Sequence, residues 1–229
     1  MALNNVSFEI KENEIFGVIG PNGAGKTTLF NVITGFHKMD RGNVTFRNED
    51  VTGFPPYILC KKGLTRTFQI VKPLKEMTVL ENVMVGAFLR TNDVEKAKTK
   101  AQETLKLMGL QNKENELAKD LTVPDMKRLE LARAVATDPV LLLVDEAFAG
   151  LNTGEVQMLI NILRRIREQG VTLFIIEHVM GAIMSLAERI MVLDEGEKIA
   201  EGTPEEIQAN EKVLEVYLGT KNAKTHPPG

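Results

Sequence analysis

Residues 20–28 have the types and spacing of a loop that binds phosphate. They fit the pattern G-x-x-x-x-G-K-[ST], and all of them are candidate nucleotide ligands: Gly20, Pro21, Asn22, Gly23, Ala24, Gly25, Lys26, Thr27 and Thr28. Glycines permit a sharp turn in which successive backbone N–H groups converge on the β- and γ-phosphates. Lys26 adds a positive charge, which makes it a candidate catalytic residue, and the Thr27 hydroxyl is placed to bind Mg²⁺. The pattern therefore predicts a nucleoside triphosphate site.

The segments that flank this loop support the prediction. Residues 15–19 are apolar and predict a strand, and the apolar positions Leu29, Val32 and Ile33 predict a helix. A loose glycine–lysine match arises by chance in many proteins, but the strand before the loop and the helix after it make chance the weaker explanation. The loop alone leaves kinases, GTPases and transport ATPases as alternatives.

Two acidic residues at the end of another apolar strand add the chemistry of hydrolysis. Residues 141–144 are apolar, and Asp145 and Glu146 follow them directly. At the end of a buried strand, Asp145 can hold a water on Mg²⁺ and Glu146 can polarise the attacking water. The same pair could begin a solvated loop, but the phosphate loop elsewhere in the chain favours the catalytic interpretation.

Two further polar residues are candidates because of where they lie. His178 follows an apolar strand, and ligands of such folds bind at the carboxyl edge of the sheet. His178 is therefore a candidate catalytic residue, although a lone histidine is more often structural. Gln69 lies at the entry to a long helical segment. This placement makes Gln69 a candidate catalytic residue, a ligand of Mg²⁺ or of the reacting water, and a point of coupling.

An α/β fold is predicted to position these residues. Apolar strands alternate with amphipathic helices in the second half of the chain, which is typical of a parallel sheet covered on both faces. These strands are predicted at residues 140–144, 171–176 and 190–193. Near the amino terminus, the alternation of Val6, Phe8 and Ile10 with polar residues predicts a half-buried strand, and residues 44–47 predict another.

A helical segment interrupts this pattern of strands. Ala97, Ala101, Leu105 and Met108 line one face of a predicted helix that ends at Gly109. We therefore predict an α/β P-loop NTPase core with a parallel sheet and an antiparallel β edge, made of residues 1–70 and 139–229. Residues 71–138 are predicted to form an inserted helical subdomain.

Composition limits the function classes. The 229 residues are 43% hydrophobic and 26% charged, which is ordinary for a globular protein. With 28 basic and 31 acidic residues, the net charge of −3 provides no general attraction for nucleic acid. No apolar run approaches the roughly 18 residues of a membrane helix, and the amino terminus has no signal pattern. Cys60 is the single cysteine, which excludes an internal disulfide and favours a reducing compartment.

The motifs together, in this order, resemble the nucleotide-binding subunit of an ABC transporter over essentially the whole chain. The matching segments are residues 20–28 (Walker A), Gln69 (Q-loop), residues 141–146 (Walker B with its catalytic Glu), residues 149–152 (D-loop) and His178 (switch His). Residues 65–69, 77–82 and 149–152 look most like the branched-chain amino-acid importer branch. The ending at residues 216–219 fits that branch but is shared with ATPases of lipopolysaccharide export, so it leaves the cargo open.

The resemblance implies cofactors, partners and a location. ATP and Mg²⁺ are the implied cofactors, with Thr27, Gln69 and Asp145 as the metal ligands. The implied partners are integral membrane permease subunits, a second ATPase subunit of the same or another kind and, indirectly, a solute-binding protein. No nucleic acid partner is expected. The implied location is the cytoplasm, peripheral on the inner face of the cell membrane, and the implied cargo is branched-chain or other hydrophobic amino acids.

Three alternatives remain at this point. One is another ABC system, for a different small solute or for lipid export. A second is a soluble regulatory ABC ATPase, although such proteins usually have two cassettes or long coiled insertions. A P-loop kinase fits poorly, because it gives His178 and residues 121–134 no role.

The chain departs from the family pattern in three places. The signature loop, which grips ATP bound by the opposite subunit, usually reads Leu-Ser-Gly-Gly-Gln, whereas residues 121–125 read Leu-Thr-Val-Pro-Asp. Thr122 keeps the hydroxyl and is expected to contact that ATP in trans, while Asp125 is expected to make the loop less favourable for phosphate. Thr122 and Asp125 could equally form a helix cap. Ala147 replaces the proline that usually follows Walker B. In this family an aromatic residue that stacks on adenine lies well before the phosphate loop. Gly20 is too close to Met1 for such a residue, so we expect the chain to be shortened at its start.

Overall fold

The computed structural model describes residues 2–68 and 72–218, so Gln69 lies outside the described residues. The strands are β1 (Ile15–Ile19), β2 (Thr45–Phe46), β3 (Glu49–Asp50), β4 (Leu64–Arg66), β5 (Leu141–Asp145), β6 (Thr172–Ile176), β7 (Arg189–Asp194) and β8 (Glu197–Gly202). The α-helices are α1 (Lys26–Ile33), α2 (Pro56–Lys62), α3 (Val79–Ala87), α4 (Val94–Met108), α5 (Val123–Val135), α6 (Thr153–Glu168), α7 (Met180–Leu186), α8 (Pro204–Ala209) and α9 (Glu211–Leu218).

The main sheet has the order β4-β5-β6-β1-β7-β8. The first five strands in that order run parallel, and β8 pairs antiparallel with β7. The predicted α/β core with a parallel sheet and an antiparallel edge is confirmed. The strands at the centre, β1 and β6, are buried along their whole length. Their unbroken apolar sequences follow from this burial, because helices or other chain segments cover both faces.

Alternate residues of the central strands contribute to two cores, one on each face of the sheet. Phe16 on β1 and Phe174 on β6 lie on one face, where their ring centroids are 5.6 Å apart, and Phe30 of α1 packs 4.8 Å from Phe174. Ile15 and Ile175 belong to the larger core on the other face. The sheet therefore fixes α1, and with it the phosphate loop, through aromatic packing on one face.

The predicted strand at residues 6–10 is wrong. Val6, Phe8 and Ile10 are half-buried and alternate with exposed residues, and Phe8 stacks on Phe16 with ring centroids 5.7 Å apart, but the segment joins no sheet. The alternation of apolar and polar residues arises because one side of the segment packs on the core. It does not show that the backbone pairs with another strand. The strand predicted at 44–47 is shorter, because Arg47 and Asn48 adopt positive φ and form the turn between β2 and β3.

Helices α3, α4 and α5 lie between β4 and β5 in the chain and pack on one another. The predicted apolar face of α4 is buried, including Ala97, Ala101 and Leu105, and the helix ends at Gly109 in the left-handed region. Asp93 caps its amino terminus by accepting hydrogen bonds from two backbone N–H groups. Over residues 2–68 and 72–218, none of the helices combines the length and apolar character that crossing a membrane requires.

Candidate nucleotide-binding and hydrolysis site

The predicted phosphate loop connects β1 to α1 at the carboxyl edge of the sheet. A Cβ atom on Gly20 would lie 2.1 Å from the carbonyl oxygen of Leu193, so only glycine fits there. Gly25 has a φ of 100° and leads directly into α1, whose amino terminus carries no side-chain cap. The first N–H groups of an uncapped helix have no intrahelical partner and point outward with the positive end of the helix dipole. This end of α1 is therefore suited to an anion.

Lys26 lies inside the same loop. Its Nζ donates hydrogen bonds to the carbonyl oxygens of Gly20, at 2.7 Å, and Pro21, at 2.9 Å, and the residue is buried. Burial lowers the pKa of Lys26, and the charges of Glu146 and Asp145 oppose that effect. The ammonium group is thus held beside both predicted acidic residues, where it can meet a bound phosphate.

Asp145 forms a buried ion pair that the sequence analysis did not foresee. Its Oδ2 accepts a hydrogen bond from Arg66 at 2.9 Å, and the two side chains are 3% and 8% exposed. Arg66 also donates to Asn31 Oδ1 of α1 at 2.7 Å. Burial raises the pKa of Asp145, against the effect of the Arg66 charge. Arg66 therefore fixes the Asp145 carboxylate and connects it to α1.

Aromatic rings enclose the Arg66 guanidinium. Its Cζ lies 5.0 Å from the ring centroid of Phe68, 5.4 Å from Phe36 and 5.9 Å from Phe30. Aromatic faces attract a cation, and this attraction is stronger where water is excluded. Arg66 lies between Thr65 and Thr67 at the end of β4, and no local pattern in the sequence marks it.

Glu146 and His178 each follow an apolar strand, as the sequence predicted, and these two strands are neighbours in the sheet. Strands β5 and β6 are parallel and adjacent, and the Glu146 N–H donates to the carbonyl oxygen of Ile176 at 3.0 Å. The Nδ1 atom of His178 is 3.8 Å from Oε2 of Glu146. Glu146 has a φ of 46°, an uncommon conformation for a residue other than glycine. This conformation turns the chain at the position predicted to activate water.

Glu177 is a second residue that the sequence analysis missed. It is fully buried, and its Oε1 accepts a hydrogen bond from the Phe148 N–H at 2.9 Å, while Oε2 accepts from the His178 N–H at 3.2 Å. Burial raises the pKa of Glu177, and these hydrogen bonds oppose the effect. Glu177 therefore connects the loop after Glu146 to the backbone of His178.

The predicted helix cap at the signature loop is confirmed. The Thr122 hydroxyl accepts the Asp125 N–H and donates to Asp125 Oδ2 at 2.8 Å. Asp125 also accepts a hydrogen bond from Lys113 at 2.8 Å and is ion-paired with Arg128. Burial acts to raise the pKa of Asp125, but these hydrogen bonds and charges outweigh it and hold the pKa below its ordinary value. The acid that we expected to make the loop less favourable for phosphate is buried, and its charge is compensated within the chain.

Of the three residues predicted to hold Mg²⁺, the structure describes two. Thr27 is exposed in the first turn of α1, and Asp145 lies at the end of β5, but Gln69 lies outside the described residues. Among the described residues, no group of three or more His, Cys, Asp or Glu side chains could hold a metal ion. A hydroxyl and one carboxylate beside a phosphate loop are nevertheless the donors that Mg²⁺ uses when phosphate oxygens complete its ligands.

The fold and this arrangement of loops define a P-loop nucleotide-binding protein. Two family models match the chain: ABC transporter over residues 3–149 and branched-chain amino acid ATP-binding cassette transporter over residues 197–222. The chain therefore belongs to the ABC transporter family.

Curated relatives and solved structures agree with this assignment. The chain is 40% identical to the high-affinity branched-chain amino acid transport ATP-binding protein LivG of Salmonella typhimurium, over 96% of this chain and 92% of the relative. It is 36% identical to BraF of Pseudomonas aeruginosa with the same coverage. The ADP conformation of MJ1267, an ATP-binding cassette of an ABC transporter, superposes with a TM-score of 0.86 at 34% identity, over 95% of this chain and 92% of that one. The dimeric bacterial cassette MJ0796 gives 0.80 at 27% identity, over 89% and 90%.

Proposed function

We propose that this chain is the ATP-hydrolysing subunit of an ABC transporter that drives branched-chain or other hydrophobic amino acids through a membrane permease. The observation that carries the proposal is the convergence of the uncapped end of α1, Asp145, Glu146 and His178 at one edge of the sheet. The names of the relatives favour the amino-acid cargo over the alternatives of lipid export, another small solute and a soluble regulatory ATPase.

The residues have separate roles in this proposal. The loop N–H groups and Lys26 bind the β- and γ-phosphates, and Glu146 orients and polarises the attacking water. His178, 3.8 Å from Glu146, contacts the reacting phosphate or water from the neighbouring strand. Thr27, Asp145 and Gln69 would hold Mg²⁺, which neutralises charge on the phosphates when bound.

The partners follow from the same proposal. The chain lies in the cytoplasm on the inner face of the membrane, bound to permease subunits, and a second ATPase subunit completes the ATP site. A solute-binding protein acts on the other side of the permease. Residues 71–138 form the helical subdomain that carries the signature loop, and Gln69 couples that subdomain to the core.

The direct test replaces Glu146 by Gln in the full chain. We expect hydrolysis to fall by about a hundredfold or more, because a positioned group that acts on the water is removed. ATP binding should stay unchanged, since Glu146 does not hold the phosphates. Steady-state ATPase rates and binding of a fluorescent ATP analogue measure the two effects. The exposed Glu168, at the end of α6, gives the matched control Glu168→Gln. Near-normal turnover by Glu146→Gln would overturn the assignment.

A second experiment tests the transport role. The tagged full chain, purified from membranes, should bring with it an integral membrane protein. Recovery of the chain without any such partner would favour a soluble regulatory ATPase instead.

A further inference from the structure

Lys127 and Glu130 lie one turn apart on α5, beneath the site. Lys127 Nζ donates a hydrogen bond to the carbonyl oxygen of Ala147 at 3.0 Å. Ala147 directly follows Glu146, so this hydrogen bond holds the chain beside the predicted water-activating carboxylate. Burial lowers the pKa of Lys127, while the charges of Glu177, Glu130 and Glu146 oppose that effect.

Glu130 makes a matching contact with the other loop of the site. Its Oε1 accepts a hydrogen bond from the Phe68 N–H at 2.5 Å, and Glu130 is 9% exposed. Phe68 directly precedes Gln69. Burying a carboxylate costs free energy unless it is hydrogen-bonded or paired. The hydrogen bond from the Phe68 N–H offsets part of this cost for Glu130. The Phe68 N–H in turn has its acceptor on α5 rather than in the sheet.

Both loops are therefore attached to one rigid helix. Lys127 and Glu130 line one small cavity together with Asp145 and Glu146. Because α5 begins at the signature loop, a shift of this helix would move the attachment points of both loops together.

We infer that Lys127 and Glu130 are positioning residues: through α5 they set the geometry of the chain beside Glu146 and at Phe68 for hydrolysis. The inference rests on the proposed function. A role in folding alone would predict lower stability without a selective effect on the chemical step, so the two explanations give different measurements.

The first test replaces Lys127 by Met and by Arg. We expect Lys127→Met to lower kcat by about tenfold or more, because small displacements of a catalytic group are costly. Binding of a fluorescent ATP analogue should change by less than about twofold, since Lys127 does not contact the phosphate loop. Lys127→Arg keeps a donor within reach of Ala147 and should recover most of kcat. The exposed Lys106 on α4 gives the matched control Lys106→Met.

The second test replaces Glu130 by Gln and by Leu. Glu130→Gln keeps an oxygen that can accept the Phe68 N–H and should retain most of kcat, whereas Glu130→Leu should lose about tenfold. The exposed Glu103 on α4 gives the control Glu103→Leu. If Glu130→Leu fails to fold, the Lys127 variants still test the inference at Glu146, and a large loss of kcat in a folded Glu130→Gln would overturn it at Phe68.

All variants are measured in the full chain together with the subunits that co-purify with it, by ATPase kinetics, nucleotide binding and thermal unfolding. A selective loss of kcat that the conservative variants restore supports the inference. Unchanged kcat in Lys127→Met, or equal losses of kcat in Lys127→Met and Lys127→Arg that follow their loss of stability, would overturn it. The variant Glu146→Gln in the same assay separates the two claims. If Glu146→Gln retains turnover, the proposed function is overturned. If Glu146→Gln loses turnover but Lys127→Met does not, only the inference is overturned.

Discussion

Helices α1 and α5 begin in opposite ways. Gly25, in the left-handed region, precedes α1, and the first turn of α1 has neither a side-chain cap nor an acidic residue. Thr122 caps α5, Pro124 lies in its first turn, and Asp125 adds a buried carboxylate there. One helix therefore presents free N–H groups, while the other satisfies or removes them within the chain.

The difference indicates that a helix amino terminus is suited to phosphate only when the sequence leaves its N–H groups open. At α5 the Thr122 hydroxyl is used in hydrogen bonds to Asp125, and Pro124 has no N–H to offer. We therefore expect this chain to bind ATP at α1 but to contribute poorly, through α5, to ATP bound by another subunit. The in-trans contact of Thr122 stays a prediction, and an ATPase partner with a glycine-containing signature loop would complete the site of this chain.

Each helix has ion pairs beside it, and the larger expected effect is at α1, where both members of the pair are buried; at α5 the carboxylate is buried but its cationic partners are partly exposed. Replacing Arg66 by Met leaves Asp145 without its ion-pair partner in a buried position. We expect this change to lower the free energy of unfolding by on the order of 3 kcal/mol, as for other buried pairs that lose one member. Chemical denaturation measures it, with the exposed Arg165 on α6 replaced by Met as the control. A loss no greater than in the control would mean that Arg66 does not fix Asp145.

The second prediction compares the two helix ends as phosphate sites. Lys26→Ala removes the charge from the α1 loop and should weaken ATP binding by on the order of a hundredfold. Asp125→Asn at α5 should leave ATP binding by the isolated chain unchanged, because that end binds no phosphate of its own subunit. Titration with a fluorescent ATP analogue measures both, with the exposed Lys98→Ala as the control. Equal weakening of ATP binding in Lys26→Ala and Asp125→Asn would contradict the claim that only α1 binds phosphate in the isolated chain.

The smallest effect concerns stability at α5. Asp125→Asn should lower the free energy of unfolding by about 1 to 2 kcal/mol at neutral pH, because two cationic partners lose their acceptor charge. The pKa of Asp125 is lowered in the folded protein, so its stabilising effect is complete above the ordinary carboxyl pKa and disappears as pH falls through the lowered value. Denaturation curves of both proteins should therefore converge at acid pH. A difference that stays constant down to that pH would contradict the role of the charge.

Local patterns predicted most of the fold and the positions in it of most candidate site residues. The apolar strands and the glycine-containing loop are encoded in short segments, so their sequence was sufficient. Arg66 with Asp145, and Glu130 with Phe68, are separated by 79 and 62 positions, and no local pattern indicates such pairs. The strand wrongly predicted at residues 6–10 has the same cause, because alternation shows which side chains are buried but not whether another strand is present to pair.

Dimerisation driven by ATP tests the contrast between α1 and α5 most directly. In the Glu146→Gln chain, which should retain ATP, size exclusion with light scattering is compared for the native loop and for the combined changes Val123→Gly, Pro124→Gly and Asp125→Gln. The account predicts that the chain with the native loop stays monomeric with ATP and that the chain with the glycine loop dimerises. Adding Lys26→Ala to the latter should return it to a monomer. Dimerisation of the native-loop chain at the same ATP concentration would contradict the account.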